Sequence, residues 1–172
     1  MTAYDSSPDR LARLEELLAG LPESERQRRI EQAPVDEVLN CISRDAPSGL
    51  VKNFSARIST VMFRNLPHLE RGRISHARGD FDTARQAYLA AYAEKDMRAL
   101  LFLGQLLEEH GKGINAQSVY RMAMGNGCDE AYEALARLFL KGGDKEKAVQ
   151  VISDAAQKNI QLSEELYRLA KE

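Results

Sequence analysis

The chain of 172 residues is long enough to form a domain with a sizeable core, since a chain of this length buries about two thirds of its unfolded surface. Hydrophobic residues make up 44% and charged residues 29%, a balance that excludes a chain disordered throughout. The formal net charge is −2, with neither sign concentrated in one half, which argues against nucleic acid and anionic membranes as partners.

The start of the chain and its cysteines bear on where the protein resides. The sequence MTAYDSSPDR lacks the basic and apolar regions of a secretory signal, and no run approaches the roughly 18 apolar residues of a membrane span. Cys41 and Cys128 stand alone, without a CxxC motif or a neighbouring metal-ligand set. We predict reduced, buried thiols in a cytoplasmic protein, with a disulfide or a reactive thiol as the alternative. A secreted protein expressed without its leader would show the same start.

Residues 1–66 are predicted to form an N-terminal helical region. Its first helix begins at the Ser-Pro-Asp sequence of residues 7–9, where a hydroxyl caps free amides and proline stands where no donor is needed. Pro22 and Pro34 open two further segments, and a longer amphipathic run ends at Pro67. The first helix carries a stripe, here called the leucine stripe, that consists of Leu11, Leu14, Leu17 and Leu18.

The leucine stripe leaves two interpretations open. The first is that this helix packs on the repeats that follow, as an N-terminal cap. The second is that it is a detachable amphipathic helix, which docks a partner or joins two copies of the chain.

Strand signals are weak along the whole sequence. No run alternates apolar and polar residues with period two, and β-branched residues do not cluster between turn signals. The sequence therefore predicts an all-α fold.

Residues 67–172 contain an internal period of 32 residues. Three columns carry it: Gly79, Gly111 and Gly143; Ala84, Ala116 and Ala148; and Ala91, Ala123 and Ala155. Each unit is predicted to be a helical hairpin, because the glycines suit turns with positive φ and the alanines allow close helix contact. Each hairpin leaves an apolar face that a neighbouring hairpin covers, so the units are expected to stack. The segment 162–171 fits a terminal capping helix.

This order of residues resembles the tetratricopeptide repeat. The resemblance rests on Gly104, Gly111, Ala116, Tyr120 and Ala123, and on segments 79–94 and 142–158, which are similar to the family's second helix. Segment 99–113 also resembles the related Sel-type repeats. The period of 32 is shorter than the family's usual 34, and the first unit is irregular. The resemblance implies an α-solenoid of stacked antiparallel helix pairs, with about three 32-residue repeats and a C-terminal capping helix after the N-terminal region.

In the tetratricopeptide family the first helices line a concave groove. By resemblance, the residues that face it here are Leu69, Arg73, Leu101, Gln105, Glu133 and Arg137, with His76, Arg98 and Glu108 on neighbouring turns of the same face. A mixed wall of arginine, glutamine, glutamate and leucine suits a peptide or helix with charged and apolar anchors. The alternative is that these side chains form solvated helix faces.

A basic cluster suggests a second kind of contact. Arg71 and Arg78 are seven residues apart on one predicted helical face, where guanidinium groups can bind a carboxylate or phosphate. Glu70, Asp80 and Asp82 are close enough in sequence to pair with them instead.

Catalytic signatures are missing from the sequence. It has no HExxH motif, nucleophile elbow, phosphate loop or paired-cysteine metal motif, so we predict no enzyme activity, no cofactor and no metal. The leading hypothesis is an adaptor or chaperone-like module that binds a protein or peptide, by analogy with assembly factors of bacterial secretion and surface-organelle systems. The alternatives are an inhibitor or immunity-type protein that masks a toxin or enzyme, and a structural protein that self-associates through its N-terminal helix.

Overall fold

The structure, a computed structural model, describes residues 8–43 and 45–171. Within these ranges it is all-helical and contains no strand, which confirms the predicted fold class. The chain divides into two compact units, Met1–Ala87 and Tyr88–Glu172, and the division falls inside the seventh helix. The predicted serine cap at residue 7 lies outside the described residues.

The N-terminal unit consists of short helices, four of which follow a proline. The helices are α1 Pro8–Ala19, α2 Glu23–Gln32, α3 Val35–Cys41, α4 Ser48–Phe54, a 3-10 helix Ser55–Arg57, α5 Thr60–Asn65, α6 His68–Ala77 and the first part of α7 Phe81–Ala93. Proline stands directly before α2, α3, α4 and α6. It suits these positions because its φ is close to the helical value and the helix start requires no donor from it.

The core of this unit includes three of the four residues of the leucine stripe. Leu11 and Leu18 are buried in a cluster with side chains of α2, α3, α4 and α6, and Leu14 packs against that cluster. Leu17 is the member that faces solvent, with 48% of its side chain exposed. Each buried leucine contributes about 1.5–3 kcal/mol through removal of apolar surface from water. The helix α1 is therefore an integral part of this unit's core.

Arginines close the C-terminal ends of the first helices. Arg26 donates from Nε to the carbonyl of Leu18 at 2.9 Å and from Nη2 to that of Leu21 at 3.1 Å, at the end of α1. Arg57 closes α2 in the same way, with donation to the carbonyl of Ala33 at 3.1 Å and to two carbonyls of the last turn. The last carbonyls of a helix lack partners within it, so these guanidinium groups supply the missing hydrogen bonds.

Two arginines of the α6 segment continue this arrangement. Arg73 is only 5% exposed and donates to the carbonyls of Ser43 and Ala46, in the segment that follows α3. Arg78 donates to the carbonyl of Ile58 at 2.9 Å, directly after the 3-10 helix. We call the four residues Arg26, Arg57, Arg73 and Arg78 the arginine clamps. The side chain of each clamp binds carbonyls at a helix end that lies earlier in the chain.

The C-terminal unit contains longer helices, and helices that are neighbours in sequence pack against each other. It holds the rest of α7 and then α8 Arg98–Glu109, α9 Gly113–Gly125, α10 Glu130–Lys141, α11 Lys145–Gln157 and α12 Glu164–Lys171. Each of α8 to α11 packs against the next, α8 also contacts α10, and α12 contacts α10 and α11. Gly104 makes the α8–α9 contact possible, because a Cβ atom there would lie 2.3 Å from the ring of Tyr120.

Left-handed backbone turns recur at a fixed interval in the repeat region. Positive φ values occur at Gly79, Lys95, Gly111, Gly127, Gly143 and Asn159, so each lies 16 residues after the one before. After each turn an N–H bonds a carbonyl five residues back, for example from Lys112 to Leu107 at 2.9 Å. This pattern is the Schellman motif that ends helices. It confirms the turn role of the three periodic glycines and adds a second set of turns at half the period.

Candidate functional site

Four of the predicted groove residues line one cleft in the C-terminal unit. Leu101 and Gln105 lie on consecutive turns of α8, and Glu133 and Arg137 lie on consecutive turns of α10. Side chains four residues apart share one face of a helix, which is why each pair points to the same side. The cleft, here called the α8–α10 cleft, has a volume of about 390 Å³.

Other lining residues come from the start of α10 and from the segment before α12. Ala134 and Leu162 add apolar surface beside Leu101. The polar remainder consists of Asp129, Glu130 and Gln161. Sequence reasoning missed these five residues, because the groove pattern counts positions along first helices and says nothing of the segments that enclose them.

A polar network joins α10 to the start of α12. Glu133 accepts the N–H of Ser163 at 3.1 Å and its hydroxyl at 2.7 Å. Arg137 donates from Nη2 to Glu133 at 2.8 Å and to Glu165 at 3.0 Å. Leu166, in the first turn of α12, is fully buried. The network and this apolar contact together fix α12 beside the cleft.

The network sets the charge state of its members. Partial burial raises the pKa of Glu133, but hydrogen bonds from Ser163 and Arg137 outweigh it and leave this pKa below its usual value. Hydrogen bonds to Glu133 and then to Glu165 raise the pKa of Arg137. Both groups are therefore charged near neutral pH, and the guanidinium of Arg137 is already shared by two carboxylates.

Glu108, predicted on the same face, has contacts with neighbouring helices instead. It accepts the hydroxyl of Tyr120 on α9 at 3.2 Å and the ammonium of Lys141 on α10 at 3.2 Å. Burial, followed by the charge of Glu108, raises the pKa of Tyr120, so that hydroxyl remains protonated. Arg98 is half-buried at the start of α8, and its backbone N–H donates to Asp96 at 3.3 Å.

In the N-terminal unit the structure differs from the predicted groove wall. Leu69 is 2% exposed and Arg73 is 5% exposed, whereas the sequence predicts both on an accessible surface. Arg73 is buried because its guanidinium satisfies the carbonyls of Ser43 and Ala46 as one of the arginine clamps. His76 is half-buried on the last turn of α6.

The predicted anion site at Arg71 and Arg78 also differs in the structure. The Nη2 atom of Arg78 donates to the carbonyls of Ser55 at 2.5 Å and Ile58 at 2.9 Å, and its guanidinium lies 5.7 Å from the ring centre of Phe63. Arg71 is half-buried, and its Nε atom is buried without a hydrogen-bond partner. The Nη2 atom of Arg78 is therefore engaged by two backbone carbonyls, and its guanidinium lies beside an aromatic ring.

The nearby carboxylate of Asp80, an alternative partner for these arginines, has a local role. It accepts the N–H of Thr83 at 3.1 Å at the start of α7. Hydrogen bonds from Thr83 lower the pKa of Asp80. This is the geometry of an N-terminal helix cap.

The two thiols are buried, as predicted. Burial, with help from the charge of Glu37, raises the pKa of Cys41 to about 12. Burial, with help from Glu130, raises that of Cys128 to about 11. Both are free thiols and protonated near neutral pH, which makes them weak nucleophiles. Among the described residues, no group of three or more His, Cys, Asp or Glu is placed to hold a metal ion, and no helix combines the length and apolar character to cross a membrane.

Comparison with known proteins adds no relative to this picture. No family model, no curated protein and no solved structure matches the chain.

Proposed function

We propose that the chain is a protein–protein interaction module, of the adaptor or chaperone type, that binds a peptide or helix of a partner in the α8–α10 cleft. The observation that carries this proposal is the convergence of Leu101, Gln105, Glu133 and Arg137 on one cleft, whose lining also includes the apolar residues Ala134 and Leu162. Helix-lined grooves of this kind bind extended or helical segments through a few apolar anchors.

We further propose that residues 67–172 form an α-solenoid of about three tetratricopeptide-like hairpins with α12 as the terminal cap. Two observations support it. The left-handed turns recur every 16 residues from Gly79 to Asn159, and α8 to α11 pack in consecutive pairs. Helices before Pro67 end in other ways, which supports a separate N-terminal region of residues 1–66. A bacterial source, a cytoplasmic location and the lack of enzyme activity stay predictions.

Blocking the cleft tests the binding function. Ala134 is half-buried on α10 and lines the cleft, so Ala134→Trp fills it with an indole ring. Gln105→Trp blocks it independently from α8. The matched control is Ala156→Trp, at an exposed position of α11 outside the cleft. Circular dichroism verifies that each variant is folded.

Affinity capture from the source cell, followed by mass spectrometry, provides the measurement. We expect a stoichiometric partner that the unmodified chain and Ala156→Trp retain and that both cleft variants lose. Retention of every partner by both folded cleft variants would refute the cleft as the binding site. A captured enzyme or toxin whose activity falls on binding would assign the inhibitor alternative.

A further inference from the structure

The α8–α10 cleft has a surplus of negative charge. Among the described residues that line it, three are carboxylates, Asp129, Glu130 and Glu133, and one is a cation, Arg137. Arg137 donates to Glu133 at 2.8 Å and, beyond the lining, to Glu165 at 3.0 Å. Its charge is therefore compensated within the unit, and little of it remains to attract a carboxylate of a ligand.

Two of the three carboxylates are exposed to solvent, whereas the apolar lining residues are buried or half-buried. Asp129 and Glu130 are exposed at the start of α10. Leu101, Ala134 and Leu162 provide the apolar surface. A ligand that enters this cleft thus meets an apolar contact and exposed carboxylates together.

We propose that the partner segment is basic and carries an aliphatic anchor. This inference rests on the proposed function and specifies the class of partner. The anchor side chain packs against Leu101, Ala134 and Leu162, while Lys or Arg residues beside it bind Asp129 and Glu130. An acidic segment of the same shape is disfavoured, because like charges at an interface lower affinity and exclude wrong partners.

A peptide selection tests this class of partner directly. A random peptide library is displayed on phage and selected against the full chain, and binders that the Ala134→Trp variant also retains are removed. We expect the remaining sequences to be enriched in Lys and Arg around one or two aliphatic residues.

The outcomes separate the two proposals. Enrichment of acidic or neutral sequences that still require an open cleft would overturn the basic-partner inference and leave the binding function standing. Recovery of no sequence that depends on the cleft would overturn both.

A matched pair of charge variants then tests the role of the exposed carboxylates that line the cleft. Glu130 and Glu146 are first-turn acids of α10 and α11, and only Glu130 lines the cleft. We expect Glu130→Gln to weaken a selected basic peptide about threefold at low salt, the size typical of one exposed charge pair. Glu146→Gln is expected to leave binding unchanged, and the difference is expected to shrink at high salt. Fluorescence anisotropy measures both, and equal affinities for the two variants would overturn the assigned contact.

Discussion

The first helices of the chain and the later ones end by different means. From α1 to the 3-10 helix, guanidinium groups from later in the chain supply hydrogen bonds to the helix ends, over separations of 5 to 30 residues. From α6 to α11, each helix ends in a left-handed turn whose hydrogen bond spans five residues. The first solution depends on one side chain at each helix end and on the fold that delivers it. The second depends on the backbone of a few consecutive residues.

The largest effect is expected where a clamp is buried. Arg73→Met keeps much of the side-chain volume but leaves the carbonyl of Ala46 without its donor. The carbonyl of Ser43 loses one donor and keeps the backbone N–H of Ala46 at 3.0 Å. We expect a loss of about 3 kcal/mol in the free energy of unfolding, since hydrogen bonds from charged groups contribute strongly and buried carbonyls without donors are costly. Urea unfolding followed by circular dichroism measures it. Arg64→Met, at an exposed position of α5, is the control and should change stability by no more than about 0.5 kcal/mol. Similar values for the two variants would contradict the clamp.

A left-handed turn is expected to be less costly to disturb. Gly111 has a φ of 70°, and a Cβ atom there would contact nothing within 4 Å, so Gly111→Ala introduces backbone strain alone. We expect a loss of about 1–2 kcal/mol. Gly113 also has open space around it, but its φ is not in the left-handed region, so Gly113→Ala should not destabilise the chain. Equal thermal stability of the two variants would show that the turn conformation is not what matters.

The turn at Lys95 permits a stabilising change. Its φ of 69° is one that glycine adopts without strain. Lys95→Gly is expected to add about 0.5 kcal/mol, because relief of strain exceeds the extra entropy of the unfolded chain. Lys112, with a φ of −91°, is the control, and Lys112→Gly should bring no gain. A loss of stability at Lys95→Gly would mean that the lysine side chain contributes more than its backbone costs.

The smallest effect concerns pH and is confined to the end of the chain. Folding lowers the pKa of Glu133, so its ionised carboxylate stabilises the folded state. This stabilisation is complete above the unfolded pKa of Glu133, which is about 4.3, and is lost as the pH falls through the folded pKa. We expect hydrogen exchange of α12, corrected for intrinsic rates, to show less protection at acidic pH than near neutrality. In the Glu133→Gln variant, α12 should show the lower protection at both pH values. An unchanged pattern in the unmodified chain would remove Glu133 from the support of α12.

The difference between local turns and distant side-chain contacts explains which features the sequence could predict. The glycines at 79, 111 and 143 mark local turns and recur at a fixed interval, so their role is visible without a structure. The cleft positions on α8 and α10 are expected from the resemblance to the tetratricopeptide repeat, in which the first helices line a groove. Arg73 is different, because its partners lie 27 and 30 residues away and no periodic pattern connects them. The link between Glu133 and Ser163 likewise depends on where the chain returns to α10, which local spacing does not encode.

One buried thiol in each compact unit provides a built-in kinetic reporter. Cys41 belongs to Met1–Ala87 and Cys128 to Tyr88–Glu172, and these are the two cysteines of the chain. Because the thiolate is the reactive form and both thiols are buried and protonated in the folded state, alkylation proceeds through opening of the surrounding helices. Alkylation rates at the two positions, separated by peptide mass, therefore report how often each unit opens under native conditions, without any added label.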